Sequence, residues 1–475
     1  MTQARSAESL AAADAGLRAG GPAVVAETQR GASVLGQIAW AIGDGARSPY
    51  NVLVNIFIFA AYFSTVVIPD PVRGQALWSY VSATGALLVA IGGPLLGAIA
   101  DAGGRRKPWL LGCILIGVPS MTALWFATPG MTHGLAWVAL ALVGGTLFFE
   151  WSAVFTSAML PNVAPRGRIG FLSGLGFSLG NLAGILVFLF YLYAWEWNAG
   201  HPLFGLDVKA HEPQRAVGIV AAVWLLVCSL PLFALTPDSP GISVSAGEAI
   251  RRGVRSLAHT LGQLGTYRNV ARYLIARLAF NEGFMVMMLF TSVVAAGVLH
   301  WTPGQLLTMG LINSVIATLT GVCAGWLDQR IGAKAATMCF VAGCLIANVV
   351  VCSITPDTVL FVKLSAQALA PTGGVFPTLP DKVFLVTQNL IALFVTGGLA
   401  TSRSLMAKLA PPTMLNEFFG LYAVSGNAVT FIGPLLIGII TGIFQNQRAG
   451  VAAGAAFLLA GLLLMIPVRE ARHGD

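Results

Sequence analysis

Apolar stretches of about 20 residues recur along the whole chain, and this is the length that a helix needs to cross the hydrocarbon of a bilayer. Charged residues make up only 10% of the 475 positions, whereas a soluble domain carries about 25%. Because backbone polar groups in lipid must be satisfied within the segment itself, we predict an all-α polytopic membrane protein with twelve transmembrane helices. The predicted spans cover about residues 50–68, 79–100, 109–127, 135–157, 169–193, 216–236, 270–298, 305–327, 335–354, 385–408, 417–442 and 449–468.

The positive charges predict the orientation of these spans, since cytoplasmic loops carry an excess of Lys and Arg. With the basic turn at Arg105 placed inside, 20 of the 27 Lys and Arg residues fall on that side, 6 fall on the other, and Arg277 alone lies within a span. We therefore predict a multi-pass protein of the plasma (inner) membrane with both termini in the cytoplasm. The same distribution explains the net charge of +8 without a nucleic-acid partner.

A polar stretch divides the predicted spans into two groups of six. Within it, Ile250, Val254, Leu257 and Leu261 recur at helical spacing and predict an amphipathic helix at the inner membrane surface; a flexible linker is the alternative. The long loop at 353–382 is a candidate for a short surface helix. The predicted organisation is a disordered cytoplasmic tail (1–33), an N-terminal six-helix bundle (34–236), a cytoplasmic linker (237–267), a C-terminal six-helix bundle (268–469) and a cytoplasmic tail (470–475).

A basic turn, Gly97–Lys107, joins the second and third predicted spans with the spacing Gly, three residues, Asp, two residues, Gly, Arg, Arg, Lys. This spacing resembles the loop between helices two and three of major facilitator superfamily transporters. Glycine permits close backbone approach at a tight corner, and Asp101 can face the positive N-terminus of a helix in the other half. We predict a gate in which Arg105 and Arg106 pair with acids such as Glu417; a turn that only sets orientation is the alternative. The constrained positions are Gly97, Asp101, Gly104, Arg105, Arg106 and Lys107.

A second, degenerate copy of this turn lies 228 residues later, between the eighth and ninth predicted spans. If Gly325 is matched with Gly97, Gln329 stands where Asp101 does, and Asp328 comes one place early. The repeat predicts two six-helix halves. The positions in the C-terminal half that we assign to the gate, besides Glu417, are Gly325, Arg330, Gly332, Lys334 and Arg403.

Three charged residues lie well inside the predicted spans, where an unpaired charge is costly and is usually functional. They are Glu150 in the fourth span and both Arg277 and Glu282 in the seventh. We predict that Glu282 gains and loses a coupling proton, with Glu150 and Arg277 as its partners across the halves. A permanent ion pair that holds helices together is the alternative.

Amide side chains recur in the spans. Some are candidates for lining a solute path, and for about half of them we favour inter-helix hydrogen bonding instead. These residues are Asn55, Asn181, Asn281, Asn313, Asn389 and Asn427. The cysteines include no CxxC pair and the histidines show no metal-ligand spacing, so we predict no metal, no cofactor and no enzymatic site. The lack of a Walker loop argues against an ATP-driven pump.

Further stretches resemble the vacuole-effluxer-like branch of the major facilitator superfamily, which is named for fungal vacuolar proteins that release amino acids after autophagy and has bacterial members. The chain departs from that branch at Gly45 and Arg47, where Trp and Asn are usual, and at Glu282, where Asp is usual. The matching stretches are Gly43–Tyr50, Pro94–Asp101, Gly397–Gly398, Ser402–Ser404, Pro411, Glu417–Tyr422 and Gly433–Leu435.

The resemblance implies a secondary transporter that works by proton-coupled alternating access, with the solute bound near mid-membrane between the halves. The expected solute is an amino acid or a similar small polar metabolite, and efflux is favoured over import. A sugar or glycoside carrier on the same fold and a non-transporting membrane sensor or scaffold are the alternatives. We expect a monomer whose partners are the solute and membrane lipid.

Overall fold

The computed structural model describes residues 32–101, 105–165, 168–198, 201–238, 248, 251, 267–410, 418, 421–422, 425–426 and 429–470. Most of the predicted tail 1–33, most of the predicted linker 237–267 with its amphipathic helix, and positions 471–475 lie outside these residues. The predicted boundaries of these segments therefore stay predictions.

Eleven helices in this part of the chain are long and apolar enough to cross a membrane, and a shorter apolar helix precedes the last of them. The chain thus has the all-α polytopic arrangement that the apolar stretches predict. In chain order, spans 1 to 12 are Val34–Val67, Pro71–Asp101, Lys107–Phe126, Leu135–Val163, Phe171–Glu196, Glu212–Leu235, Arg268–Val298, Pro303–Ile331, Ala333–Ser353, Leu379–Leu409, Ile432–Phe444 and Gln447–Met465.

Two spans of the second half begin at capping boxes, in which an N-cap threonine and the residue three places later satisfy each other's backbone N–H groups. Span 8 starts after Thr302 with Gln305 as its partner, and span 10 starts after Thr378 with Asp381 as its partner. Trp301 Nε1 donates to Asp381 Oδ1 at 2.8 Å, so the starts of these two spans are also tied to each other.

Span 1 begins at Val34, and the predicted start near residue 50 is wrong. Its first α-helix, Val34–Gly45, is followed by wider π-helical turns at Tyr50–Phe57, and such turns are frequent at functional sites. Glycine and charged residues at 43–47 reduce the apolar character of this segment, which is why a criterion of apolar length misses its beginning. Arg47 therefore lies inside span 1 and not in a cytoplasmic loop.

The loop between spans 9 and 10 contains a small hairpin in place of the surface helix considered from the sequence. Strand β1, Thr358–Val359, pairs antiparallel with β2, Val362–Lys363. The two turn residues between them, Leu360 and Phe361, both have positive φ, as two-residue type I′ turns require.

Spans 1–6 and spans 7–12 form two halves that meet at the end of the bundle where span 1 ends and span 2 begins, called the far end below. Gln75 Nε2 in span 2 donates to Thr441 Oγ1 of span 11 (2.8 Å) and to the Gln447 carbonyl oxygen of span 12 (2.9 Å). Gln447 Nε2 donates back to the Pro71 carbonyl oxygen at 3.0 Å. All three polar side chains are buried, so the halves are clasped together at the far end.

Close packing extends this contact between the halves. A methyl group on Gly438 of span 11 would stand 2.8 Å from the Tyr80 ring of span 2, and one on Gly310 of span 8 would stand 3.1 Å from the Phe57 ring of span 1. The Ser292 hydroxyl of span 7 donates to the Ile56 carbonyl oxygen of span 1. The path between the halves is therefore closed at the far end.

Candidate functional site

The basic turn lies at the opposite end of the bundle, called the basic end below, and is held by an acid of its own half. Asp238, which follows span 6, accepts hydrogen bonds through Oδ1 from the backbone N–H groups of Arg106 (2.9 Å) and Lys107 (3.4 Å). Arg105 Nε lies 3.6 Å from Asp238 Oδ2, and Lys107 Nζ donates to the Phe233 carbonyl oxygen at 2.8 Å. The carboxylate thus lies at the positive N-terminus of span 3.

The C-terminal half repeats this arrangement with different residues. Glu470, which follows span 12, accepts hydrogen bonds from the backbone N–H groups of Ala333 (3.0 Å) and Lys334 (2.7 Å) at the start of span 9. Lys334 Nζ donates to the Ile466 carbonyl oxygen at 2.9 Å, as Lys107 Nζ does to a carbonyl of span 6. Each half therefore closes its basic end with one carboxylate and one lysine.

This equivalence corrects the repeat register read from the sequence. Lys107 and Lys334 make the same contacts in the two halves, and their separation is one residue shorter than the predicted 228. In the corrected register Asp328, and not Gln329, is the counterpart of Asp101. Asp328 accepts from the Ser404 hydroxyl, and its Oδ1 lies 2.7 Å from Lys408 Nζ.

The remaining predicted gate residues differ in what surrounds them. Gly332 has φ +87°, a conformation that favours glycine, whereas no described atom lies within 4 Å of where a Cβ would stand on Gly97 or Gly325. The Arg330 guanidinium lies 4.3 Å from the Trp326 ring centroid, and Arg403 is exposed. The Asp101 side chain, Gly104 and Glu417 lie outside the described part of the chain.

Arg277 of span 7 is held within the C-terminal half, although its buried Nε has no hydrogen-bond partner among the described residues. Its Nη1 donates to the Tyr422 carbonyl oxygen and to Ser425 Oγ, both at 2.7 Å, and its guanidinium lies 3.5 Å from the Tyr422 ring centroid. The side chain is 6% exposed. The cation is therefore stabilised by a carbonyl, a hydroxyl and an aromatic face.

Glu282, also in span 7, faces the start of span 11. The carboxylate is 1% exposed, and its Oε2 accepts the Gly433 backbone N–H at 2.7 Å. Gly433 is the second residue of the helix Ile432–Phe444, so the negative charge lies at a helix N-terminus. The other oxygen, Oε1, is buried and has no hydrogen-bond partner among the described residues.

Glu150 lies in the N-terminal half, near the midpoint of span 4, and is partly exposed. It is close enough to Arg47 of span 1 for charge attraction. Arg47 Nη2 lies 3.3 Å from Asp44 Oδ1, and its guanidinium lies 5.4 Å from the Phe149 ring centroid. Asp44 Oδ1 also accepts from Thr156 Oγ1 at 3.0 Å, which fixes the acid between spans 1 and 4.

These contacts correct the expected partnership across the halves. The partners of Arg277 are Tyr422 and Ser425, which precede span 11, and the partner of Glu282 is Gly433 in span 11, so all three belong to the same half. The charge that acts on Glu150 is that of Arg47 in the N-terminal half. Sequence reasoning missed both Asp44 and Arg47 as site residues. The available signal was their spacing, since charges three residues apart meet on one helix face.

The predicted cavity amides fall into several settings. Asn281 Nδ2 donates to the Gly426 carbonyl oxygen at 3.3 Å, which ties span 7 to the chain that precedes span 11. Asn313 and Asn389 each have a buried side-chain oxygen without a hydrogen-bond partner within the described residues, so both have an acceptor to offer. Asn55 Nδ2 lies 3.5 Å from Asn51 Oδ1. Asn181 is exposed, and Asn427 lies outside the described residues.

Comparison with known proteins identifies relatives along most of the chain. The family described as "Vacuole effluxer Atg22 like" matches residues 168–474. The uncharacterized MFS-type transporter YxiO of Bacillus subtilis is 23% identical over 440 residues, which cover 92% of this chain and 95% of that protein. Autophagy-related protein 22 of Cryptococcus neoformans is 23% identical over 300 residues, 62% of this chain. The chain spans about half the length of that fungal relative.

Solved structures share the fold at low sequence identity. A D-xylose–proton symporter has a TM-score of 0.64 at 14% identity, covering 91% of this chain and 97% of that one. A mutant of the nucleoside transporter NupG has a TM-score of 0.61 at 11% identity, covering 91% of this chain and 98% of that one. The arrangement of two six-helix bundles is therefore the one found in these transporters.

Proposed function

The chain belongs to the vacuole effluxer Atg22-like family and is a membrane transporter of the major facilitator kind, not an enzyme, and from this premise we propose that it is a proton-coupled secondary transporter. Its proposed solute is an amino acid or a similar small polar metabolite, and its proposed direction is efflux. We further propose that both termini face the cytoplasm and that the chain lies in the plasma membrane. The basic end is then the cytoplasmic end.

The observation that carries the coupling proposal is the setting of Glu282. A buried carboxylate is tolerated at the start of span 11 because it accepts the Gly433 N–H at 2.7 Å and lies on the positive end of a helix. Protonation removes the negative charge and weakens this contact, since charge-assisted hydrogen bonds are about twice as strong as neutral ones. The open Oε1 atom is the position at which a proton can be added.

Span 11 links this carboxylate to the clasp at the far end. The N-terminus of the short helix Ile432–Phe444 contacts Glu282. The same helix carries Gly438 and Thr441, which contact span 2 of the other half. A change at the Glu282–Gly433 contact therefore reaches the seam between the halves through one rigid element. This continuity supports alternating access in which the protonation state of Glu282 biases closure of the far end.

The basic-end carboxylates have a different proposed role. Asp238 and Glu470 each connect the end of a half to the start of its third span. Such contacts hold each six-helix half together as a unit, which is what rocking of one half against the other requires. The proposed gate at the basic end thus includes the Asp238 and Glu470 contacts as well as the residues predicted from the sequence.

The experiment that tests this function is transport by the purified chain in proteoliposomes. Vesicles are supplied in turn with labelled pools of amino acids and of sugars, with and without an imposed pH gradient. We expect gradient-dependent accumulation of amino acids, and we expect Glu282→Gln to abolish the dependence on the gradient while counterflow persists. Glu212→Gln, at an acid of the far end that accepts the Asp207 N–H, is the matched control.

The outcomes separate the candidate functions. Accumulation of sugars alone would show that the chain is a carrier and that its solute is a sugar, not an amino acid. Wild-type gradient dependence in Glu282→Gln would remove that residue from coupling. No movement of either pool by folded protein would favour the sensor or scaffold alternative.

A further inference from the structure

Arg47 of span 1 and Arg277 of span 7 both lie well inside their helices, and they are held in different ways. Arg277 is buried against Tyr422 with its Nη1 engaged twice. Arg47 makes a single ion pair through Nη2, at 3.3 Å from Asp44, and its side chain is 21% exposed. Within the described residues, its Nε and Nη1 groups make no hydrogen bond. Arg47 therefore has donors to offer.

The exposed surface of Arg47 must face water and not hydrocarbon. Arg47 lies near the middle of span 1, and its neighbour Glu150 lies near the middle of span 4 and is also partly exposed. A charged side chain in contact with hydrocarbon is costly, so intramembrane charges face the bundle interior or a water-filled cavity. Their partial exposure thus marks the path between the halves.

A polar stripe runs from Arg47 along span 1 toward the far end. Asn51 and Asn55 follow at four-residue intervals within the wider π-helical turns, and the 3.5 Å approach of their side chains places them on one face. The stripe ends beside Ile56, whose carbonyl accepts from Ser292 of the other half. Arg47 therefore lies on a polar surface, on the basic-end side of the closed contact between the halves.

This polar surface offers groups that suit both signs of charge. A guanidinium with free donors suits a carboxylate, which it can bind through two parallel hydrogen bonds. Glu150 beside it suits an ammonium group. The partly exposed ring of Phe149, whose centroid lies 5.4 Å from the guanidinium, adds an apolar surface next to it.

Resting on the proposed function, we propose that Arg47 is the specificity-determining residue of this transporter and binds the carboxylate of an amino-acid solute whose ammonium group lies toward Glu150. Asp44, fixed by Thr156, holds the guanidinium in place when no solute is bound. Arg47 is thus a binding residue with Asp44 as its positioning partner.

The test is counterflow of labelled, pooled neutral L-amino acids in proteoliposomes without a proton gradient, with unlabelled competitors added outside. Unlabelled amino acids are expected to compete in the wild type, and the matching amino-acid amides, which lack the carboxylate, are expected to fail. Arg47→Gln should raise the half-saturation concentration at least tenfold, the size expected for losing one charge-assisted hydrogen bond. Arg47→Lys, which keeps the charge without the planar fork, should give an intermediate value.

Two controls distinguish solute binding from a structural ion pair. Arg215→Gln, at an arginine whose guanidinium lies 4.6 Å from the Trp125 ring centroid, should leave half-saturation unchanged. If Arg47 only neutralises Asp44, then Asp44→Asn combined with Arg47→Gln restores the wild-type value, and that recovery overturns the proposal. The persistent loss of affinity in the double variant supports it.

Other outcomes also decide the matter. Effective competition by the amides, wild-type affinity in Arg47→Gln, or no counterflow of the amino-acid pool by the wild type each overturns the assignment of Arg47. Exchange of sugars in place of amino acids would support a carrier function and overturn the assignment of Arg47. Loss of gradient dependence alone concerns Glu282 and leaves the assignment of Arg47 intact, because counterflow needs no gradient.

Discussion

Gln75 and Gln447 come from opposite halves, and each donates a hydrogen bond to a backbone carbonyl of the other's span. Gln75 Nε2 reaches the Gln447 carbonyl oxygen at 2.9 Å, and Gln447 Nε2 reaches the Pro71 carbonyl oxygen at 3.0 Å. Thr441 is the third member of this clasp, at 2.8 Å from Gln75 Nε2. Buried hydrogen bonds of this kind contribute about 1 kcal/mol each, enough together to bias a two-state equilibrium strongly.

Replacing Gln75 by Ala should therefore open the far end. Two hydrogen bonds between the halves are lost, and about 2 kcal/mol corresponds to a shift of more than tenfold in the ratio of closed to open states. The measurement is the distance distribution between spin labels at Asp70 and Gln445, which are exposed on opposite halves, in a cysteine-free background that retains transport.

The control for this experiment is Gln214→Ala, which removes another buried glutamine from span 6 without touching the other half. It should leave the distances as they are. Unchanged distances in Gln75→Ala would mean that the packing of spans 2 and 11 alone keeps the far end closed.

Gly433→Ala should damage coupling. A methyl group there would stand 2.7 Å from Glu282 Oε2 and 3.0 Å from Val286 Cγ2, so the carboxylate or the helix has to move. We expect gradient-driven accumulation to fall at least tenfold. Gly442→Ala on the same helix, where the nearest atom is the Tyr80 hydroxyl at 3.9 Å, should retain it; equal loss in both variants would show that span 11 simply tolerates no added methyl group.

Asp238→Ala should lower the thermal stability of the chain. The backbone N–H groups of Arg106 and Lys107 lose an acceptor at the start of span 3, and loss of such a cap costs about 1 kcal/mol. Asp238→Asn keeps an acceptor without the charge and should fall between the wild type and the alanine variant in a thermal melt. An asparagine variant as unstable as the alanine variant would indicate that the charge dominates.

Arg277→Gln should destabilise the chain, because the Tyr422 carbonyl and the Ser425 hydroxyl lose a charged donor. The expected cost is at least about 2 kcal/mol, since hydrogen bonds to charged groups are worth about 1.5–3 kcal/mol each. Tyr422→Phe keeps both the backbone carbonyl and the aromatic face and should be mild. Thermal melts of the two variants give the comparison, and a larger loss in the phenylalanine variant would contradict this account of Arg277.

The gate residues illustrate how far a motif can be read without a structure. Gly, Asp and consecutive cations at fixed spacing were enough to find the basic turn and its degenerate copy. Matching the copies by glycines gave a register one residue off. An added methyl group at Gly97 or Gly325 would meet no described atom within 4 Å, so packing does not fix these two positions, whereas Lys107 and Lys334 make equivalent bonds. Those bonds identify the lysines as the equivalent positions, which the residue types in the sequence did not reveal.

The intramembrane charges illustrate the same limit. Glu150, Arg277 and Glu282 stand out in the sequence because charge is rare in apolar stretches. Arg47 does not stand out, since it lies among glycines at the start of what reads as a short span. The partners of Arg277 and Glu282 were equally hidden, because they lie more than a hundred residues away in the sequence, whereas Asp44 lies only three residues from Arg47.

The sequence by itself determined the all-α fold and the approximate positions of the spans, since the thickness and low polarity of the bilayer impose long apolar helices on a helical chain that crosses it. It also revealed Glu150, Arg277 and Glu282 as charges within those spans. The tertiary structure decided the partners: Asp238 and Glu470 for the backbone N–H groups at the starts of spans 3 and 9, Gly433 for Glu282, and Tyr422 and Ser425 for Arg277. A buried charge is stabilised only by donors and acceptors at hydrogen-bond distance, and in this chain helix packing brings those groups together from distant parts of the sequence.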